Sequence, residues 1–200
     1  MAIVSVILAY LIGSIPFGYL LTRWKTGGDV RKSGSGNIGA TNVLRTAGRA
    51  LGFTTLALDI AKGYFAVWLA AYFSDNSPLW TSLAAAAVVG GHAFPVFLSF
   101  QGGKAVASFV GAFLFLTPIP LLATTLVFVL LVAWSRFISL GSIVGAATFP
   151  LAVYLIDHPP LPVLLVAIVG GVFIIWRHKG NLERLRAGNE NVLRLSGRKA

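Results

Sequence analysis

The chain has no cysteine among its 200 residues. That excludes disulfides, thiolate metal sites and a cysteine nucleophile. Charge is scarce as well: 11% of the residues are charged, against about 25% in a soluble domain. Acidic residues are the scarcest, 6 against 16 Lys and Arg, which leaves a formal net charge of +10. The three histidines, His92, His158 and His178, lie far apart and share no ligand spacing, so no metal and no cofactor is expected. No internal repeat and no inverted pair of broken helices is visible, which disfavours a secondary transporter.

What the chain does have is apolar sequence. Hydrophobic residues make up 56% of it, and the mean hydropathy is +0.82. Most of the protein therefore lies in lipid, as a single integral membrane domain over residues 1–200. A span needs about 20 apolar residues. The expected fold is all-α and polytopic, with about seven transmembrane helices: Ala2–Thr22, Ala50–Phe73, Pro78–Phe100, Ala105–Leu116, Ile119–Trp134, Leu140–Ile156 and Leu161–Trp176. The fourth and fifth are short and are read as separate helices because Thr117-Pro118-Ile119-Pro120 stands between them. The first run lacks a basic leader and is long enough to span, so it is not read as a signal peptide.

Charge placement supports seven. With that count, Arg23, Lys25, Arg31, Lys32, Arg45, Arg49, Lys104, Arg136 and the tail from Arg177 to Lys199 share one side of the membrane. The other side receives Asp75 and Asp157 and no basic residue. The positive-inside rule then puts the N-terminus outside and the C-terminus in the cytoplasm. The same rule accounts for the basic balance, so nucleic acid is not expected as a partner.

Three segments on the predicted cytoplasmic face carry polar chemistry. SGSGNIGATNVLR (Ser33 to Arg45) places small residues among short polar ones. Small residues such as Gly36 let backbone approach a ligand, and successive N–H groups form an anion-binding concavity. Ser35, Asn37, Thr41 and Asn42 add side-chain donors, and Arg45 adds a fork suited to phosphate. In GGHAFPVFLSFQGGKAVAS (Gly90 to Ser108), Gly102-Gly103-Lys104 opens a helix, where free N–H groups and the positive dipole end are expected to attract anions. The Walker spacing is not met, because Ala105 stands where a hydroxyl belongs. In WRHKGNLERLRAGNENV (Trp176 to Val192), Arg177, Lys179 and Arg186 read as a juxtamembrane tail that attracts anionic lipid, whereas His178 and Asn181 have no such explanation.

Two weaker features complete the reading. Asp59 and Lys62 lie three apart on one face of the second span and are expected to form a structural ion pair. His92 reads as a structural hydrogen-bonder. Arg136 and Ser142 flank the start of the sixth span, where Ser142 is a candidate substrate contact.

The three motifs together resemble the bacterial membrane-integral glycerol-3-phosphate acyltransferase family, which uses acyl phosphate as donor. DIAKG (Asp59 to Gly63) and the overall length resemble it too. One departure is Ala105 after Gly-Gly-Lys, where glycine is expected; a bulkier turn should result. The resemblance implies seven spans, a site on the cytoplasmic face of the bacterial inner membrane, and 1-acyl-glycerol 3-phosphate as product. It also makes the enzyme that forms acyl phosphate a candidate partner.

That chemistry suits the residues. Acyl phosphate is already activated, so no covalent enzyme intermediate is needed. Two phosphates must be held close together, and Arg45, Arg49 and Lys104 with the glycine-rich loops fit the demand. The glycerol hydroxyl must be oriented and deprotonated. His178 is one candidate base; alternatively Asn181 orients the hydroxyl and a substrate phosphate takes the proton. His178 and Asn181 should share one face of a continuing helix, with Arg184 or Arg186 directed elsewhere. The competing readings are an anion or phospholipid transporter and a non-catalytic scaffold. A transporter should carry polar groups across the membrane depth, whereas here they gather at one side.

Overall fold

Prolines divide several of the apolar runs, because each removes a backbone donor and bars the residue before it from the helical region. In the computed structural model, which describes residues 1–193, the regular elements are all helices. The last basic residues expected in the tail, Arg194, Arg198 and Lys199, lie outside the described residues. Helices α1 (Ala2–Gly13) and α2 (Phe17–Thr26) form the first apolar run, broken at Ser14-Ile15-Pro16 where one unbroken span was expected. The Ile15 carbonyl at the break accepts a hydrogen bond from Lys62 Nζ at 2.8 Å. Lys62 also pairs with Asp59 Oδ1 at 2.7 Å. The ion pair thus has the structural role expected of it, and it ties the break in the first run to the second span.

A short helix α3 (Ala40–Thr46) leads into the long α4 (Arg49–Phe73). Helix α5 (Pro78–Ala93) ends ahead of Phe94-Pro95, seven residues before the expected boundary, and a single 3-10 turn follows at Val96–Leu98. Then come α6 (Val106–Leu116), α7 (Pro118–Ser135), α8 (Ile138–Asp157), α9 (Leu161–Arg177) and α10 (Lys179–Arg186). Five elements are long and apolar enough to cross a membrane: Ala2–Thr26, Arg49–Phe73, Pro78–Leu98, Pro118–Ser135 and Ile138–Asp157. Helix α9 makes a sixth when joined to α10, from which it is bent by 54°. Helix α6 has 11 residues, about 16 Å of helix, short of a ~30 Å hydrocarbon core.

In lipid there is no hydrophobic drive between helices, so close packing of small residues holds them together. Helices α4 and α6 show this reciprocally. A Cβ on Gly63 would strike the Ser108 carbonyl, and one on Gly111 would strike the Ile60 carbonyl. The core beneath α6 is aromatic: Phe109, Phe113 and Phe149 pack with ring centroids 4.4 to 5.3 Å apart. At one end of the bundle, α3, the loop before α6, the start of α8 and the α9–α10 junction converge on one cavity.

Candidate active site

The loop before α3 is organised by Asn42. Its Nδ2 donates to the carbonyls of Val30, Ser33 and Asn37 at 2.8 to 3.1 Å, and its Oδ1 accepts from Ser35 N at 2.9 Å. Asn42 is buried and both its amide hydrogens are used. It therefore shapes the loop; expected as a donor to substrate, it has none to spare. Gly34 (φ +60°) sits against the Asn42 amide, where a Cβ would collide. Ser35, Asn37, Thr41 and Arg45 all line the cavity beside it. Gly36 (φ +72°) lies outside the lining, on the exposed turn.

Arg49 does not reach the cavity. It opens α4 after Gly48 (φ +97°) and is exposed, while α4 first meets the cavity further along, at Gly52 and Phe53.

The glycine pair before Lys104 works differently from expectation. Its N–H groups are not free: Gly102 N donates to Ala93 O at 3.2 Å and Gly103 N to His92 O at 3.1 Å. Its carbonyls are held by Arg177, whose guanidinium donates to Gly103 O at 2.9 and 3.2 Å and to Gly102 O at 3.2 Å. Arg177 also lies over the Phe94 ring at 5.4 Å. Expected as a lipid-attracting tail residue, it instead clamps the loop that carries Lys104. His92 supports the loop from below, since its ring fills the space where a Gly103 side chain would go. The His92 ring is itself held by Ser108 Oγ at 3.1 Å from Nδ1, with Asp59 at 3.6 Å. That is the structural role expected of His92. Ala105 adopts φ +61°, a left-handed conformation that favours glycine, which explains why glycine is the expected residue there.

Only Lys104 of the Gly-Gly-Lys motif faces the cavity, together with the first turn of α6 through Val106 and Ala107. Lys104 Nζ donates to Asn181 Oδ1. Burial, then the nearby Arg184, push the Lys104 ammonium down to about 8.

The helix does not run straight through the tail motif, because it bends at His178, which ends α9 and caps α10. The bend still brings His178 and Asn181 to the same cavity, and both are buried. His178 Nδ1 lies 2.8 Å from the Ile174 carbonyl. A carbonyl only accepts, so Nδ1 carries the proton and Nε2 is left as an acceptor. Burial, reinforced by the Lys104 charge, pushes His178 down to about 4, so the ring is neutral at neutral pH. Asn181 Nδ2 donates to Glu190 Oε1 at 2.9 Å, and Arg184 Nε donates to Glu190 Oε2 at 2.9 Å. Of the two arginines, Arg186 is the one directed elsewhere, exposed, while Arg184 is thus turned into the site. Its spacing of three from Asn181 on α10 was the available signal. Ser142 lines the cavity, but its Oγ is engaged with Ile138 O at 2.9 Å.

The cavity has a volume of about 560 Å³. One end carries Arg45, Lys104, Arg184, His178, Asn181 and Glu190; the other is walled by apolar side chains of α4, α6, α7 and α8. Phe53 and Leu56 of α4 line it and are exposed. A charged end joined to an apolar one fits an amphiphile with an anionic head.

Comparison with known proteins points the same way. The family model for glycerol-3-phosphate acyltransferase matches residues 3–188. The chain is 45% identical to the glycerol-3-phosphate acyltransferase of Desulforamulus reducens over 188 residues, covering 94% of this chain and 93% of that one. It is equally identical to that of Synechococcus elongatus over 191 residues, 92% of this chain and 90% of that one. Its fold is similar to the crystal structure of PlsY, an integral membrane glycerol 3-phosphate acyltransferase, in the glycerol 3-phosphate form. The TM-score is 0.92, with 38% identity and 96% of each chain covered. The lysophosphatidic acid form gives 0.88, with 37% identity over 96% of this chain and 95% of that one. The chain belongs to the glycerol-3-phosphate acyltransferase family.

Proposed function

We propose that the protein transfers an acyl group from acyl phosphate to the 1-hydroxyl of glycerol 3-phosphate, giving lysophosphatidate at the first step of phospholipid synthesis. The observation that carries this reading is the single cavity with Arg45, Lys104 and Arg184 at one end and an apolar wall at the other. Three cations there suit the phosphates of two substrates, and the apolar part suits the acyl chain. The chain enters from the bilayer past Phe53 and Leu56.

The hydroxyl oxygen attacks the acyl carbonyl carbon, and a new ester C–O bond forms. The bond from that carbon to the phosphate oxygen breaks, and its electron pair leaves with inorganic phosphate. No enzyme atom becomes acylated. The hydroxyl proton goes either to His178 Nε2 or to a substrate phosphate oxygen oriented with the help of Asn181. Ser35, Asn37 and Thr41 add donors around the phosphates, with Arg45 and Lys104 as the charged contacts. Purified protein in lipid, given acyl phosphate and glycerol 3-phosphate, should release lysophosphatidate and inorganic phosphate one for one. The same protein should be inactive with acyl-CoA, and robust product from acyl-CoA would overturn the donor assignment.

The same reading puts the protein in the bacterial inner membrane with α6 as a short seventh span, N-terminus outside and the cavity's charged end on the cytoplasmic face, near the enzyme that makes acyl phosphate. It rests on the one-sided distribution of Lys and Arg in the sequence. Reporter fusions after Asp75 and Asp157 should appear outside and a fusion after Lys104 inside; an inside signal at Asp157 would sink the seven-span topology. A transporter with the same cations would need polar groups through the bundle. The buried pair at that depth, Asp59 and Lys62, is engaged in holding the break in the first run.

A further inference from the structure

Beyond its charged end the cavity wall is mostly apolar, broken by Asp59, Thr124 and Thr125, and its α8 lining comes to a stop. Along α8 the lining runs from Ile138 to Phe149, about 17 Å of helix. Phe149 closes it, with Leu121 of α7 beside it. Phe149 is 1% exposed, and its ring packs edge-on against Phe109 at 5.3 Å and Phe113 at 4.7 Å. Edge-to-face contacts on two sides hold such a ring in one orientation. Phe53 and Leu56, which line the same cavity, are exposed where Phe149 is buried, so a chain entering past them runs toward this buried end.

One helical turn before Phe149 stands Gly145. A side chain built there would meet just Thr124 Cγ2 within 4 Å, at 3.6 Å, an ordinary contact. The glycines that hold helices together are different: at Gly63, Gly111 and Gly171 a Cβ would strike backbone of a neighbouring helix. Gly145 also has no positive φ. Neither packing nor backbone conformation requires glycine at this mid-helix position, where glycine is a poor helix former. What the missing side chain does leave is open volume in the last turn of the channel.

We infer that Phe149 is the stop of an acyl-chain ruler and that Gly145 keeps its last turn open, so that these two residues set the longest acyl chain accepted. The inference rests on the reading that this cavity takes acyl phosphate. A chain whose phosphate is fixed among Arg45 and Lys104, and whose tail meets Phe149, has its length measured between the two. Each methylene that misfits an apolar pocket changes discrimination by roughly tenfold or more.

The test is competition among saturated acyl phosphates from octanoyl to stearoyl, with the chain lengths of the lysophosphatidate product read by mass spectrometry. Gly145→Leu should move the distribution to shorter chains, lowering the long-to-short ratio of kcat/KM roughly tenfold or more. Gly145→Ala should move it the same way by less. Phe149→Leu, which shortens the stop without emptying it, should move it to longer chains. If the variants turn over acyl phosphate and give the wild-type length distribution, the ruler is wrong while the functional reading stands. If neither wild type nor variants form lysophosphatidate from any donor length, the reading fails and the ruler with it.

Discussion

Lys104 Nζ donates to Asn181 Oδ1, so the loop before α6 and the first turn of α10 meet at one hydrogen bond between residues far apart in sequence. The other half of the Asn181 amide is bonded to Glu190, and Glu190 to Arg184. Lys104, Asn181, Glu190 and Arg184 thus form one continuous hydrogen-bonded chain. A phosphate that takes Lys104, or a hydroxyl that takes Asn181, must open it. Substrate binding and Asn181 orientation are coupled through that single contact.

Lys104→Ala removes a charge-assisted contact to phosphate, worth about 1.5–3 kcal/mol. The kcat/KM for glycerol 3-phosphate and acyl phosphate should fall roughly tenfold to hundredfold. Asn181→Ala should act mainly on kcat, by about a hundredfold. Because the two side chains touch, the double variant should lose less than the sum of the singles, with a coupling of about 0.5–3 kcal/mol. Strict additivity in steady-state kinetics would show that the contact has no part in turnover.

The pH dependence follows from two depressed groups. Lys104, held near 8, binds phosphate only when protonated. The kcat/KM profile, which reports the free enzyme, should therefore fall as pH rises through about 8. In kcat the same limb should sit higher, because bound phosphate favours the ammonium. His178, held near 4, is already an acceptor at any higher pH, so no acid limb near its ordinary value of about 6.5 belongs to it. A limb near about 6 would instead report the second ionisation of a substrate phosphate and should persist in His178→Gln. Loss of that limb in the variant would assign it to His178 and contradict the burial argument.

The helical class, the helix break at Pro118 and the motif cluster were legible because hydropathy, proline and charge act locally, whereas the end of α5 ahead of Pro95 was missed within a run that stays apolar to Phe100. The break at Ser14-Ile15-Pro16 was less so, since Pro16 near one end of an apolar run reads equally well as a tolerated kink; what marks it is Lys62, 47 positions away. Arg45, Lys104, His178 and Asn181, singled out by residue type and motif, all line the cavity. The roles of Asn42, Gly102 and Gly103 were misread, because whether an N–H or an amide is free depends on partners brought in by tertiary folding. Arg177 was misread for the same reason: a basic residue after a span looks the same whether it meets lipid or two carbonyls.

Arg177 offers a test of that distinction. If it positions Lys104 by holding the Gly102 and Gly103 carbonyls, Arg177→Lys should not rescue, since a point charge cannot bridge both carbonyls as a fork does. The expected loss is about tenfold in kcat/KM, in line with charged hydrogen bonds of about 1.5–3 kcal/mol that are partly replaced by water. Arg177 is also one of the charges that depress Lys104. Arg177→Gln should therefore move the basic limb of kcat/KM to higher pH. A residue that merely attracts anionic lipid would leave that limb in place and lose activity only as the anionic lipid fraction is reduced.

Glu190 is the acidic member of the charged end, buried at 7% exposure and bonded to Asn181 and Arg184. Next to it the Asn191 carbonyl accepts from Arg45 at 3.2 Å. This carboxylate is the negative charge set among Arg45, Lys104 and Arg184. Glu190→Gln keeps the shape and removes the charge, leaving the cations to repel one another. The protein without ligand should lose about 1–3 kcal/mol of stability, since its partner Arg184 is partly exposed and water takes up some of the loss. A bound phosphate supplies the missing charge. Glycerol 3-phosphate at saturation should then raise the Tm of Glu190→Gln by more than it raises that of the wild type, because the ligand binds the folded state alone. Thermal unfolding in detergent with and without glycerol 3-phosphate measures both shifts. Equal ligand-induced shifts in the two proteins would mean that the carboxylate and the phosphate do not share the same cations, and that Glu190 only braces the tail.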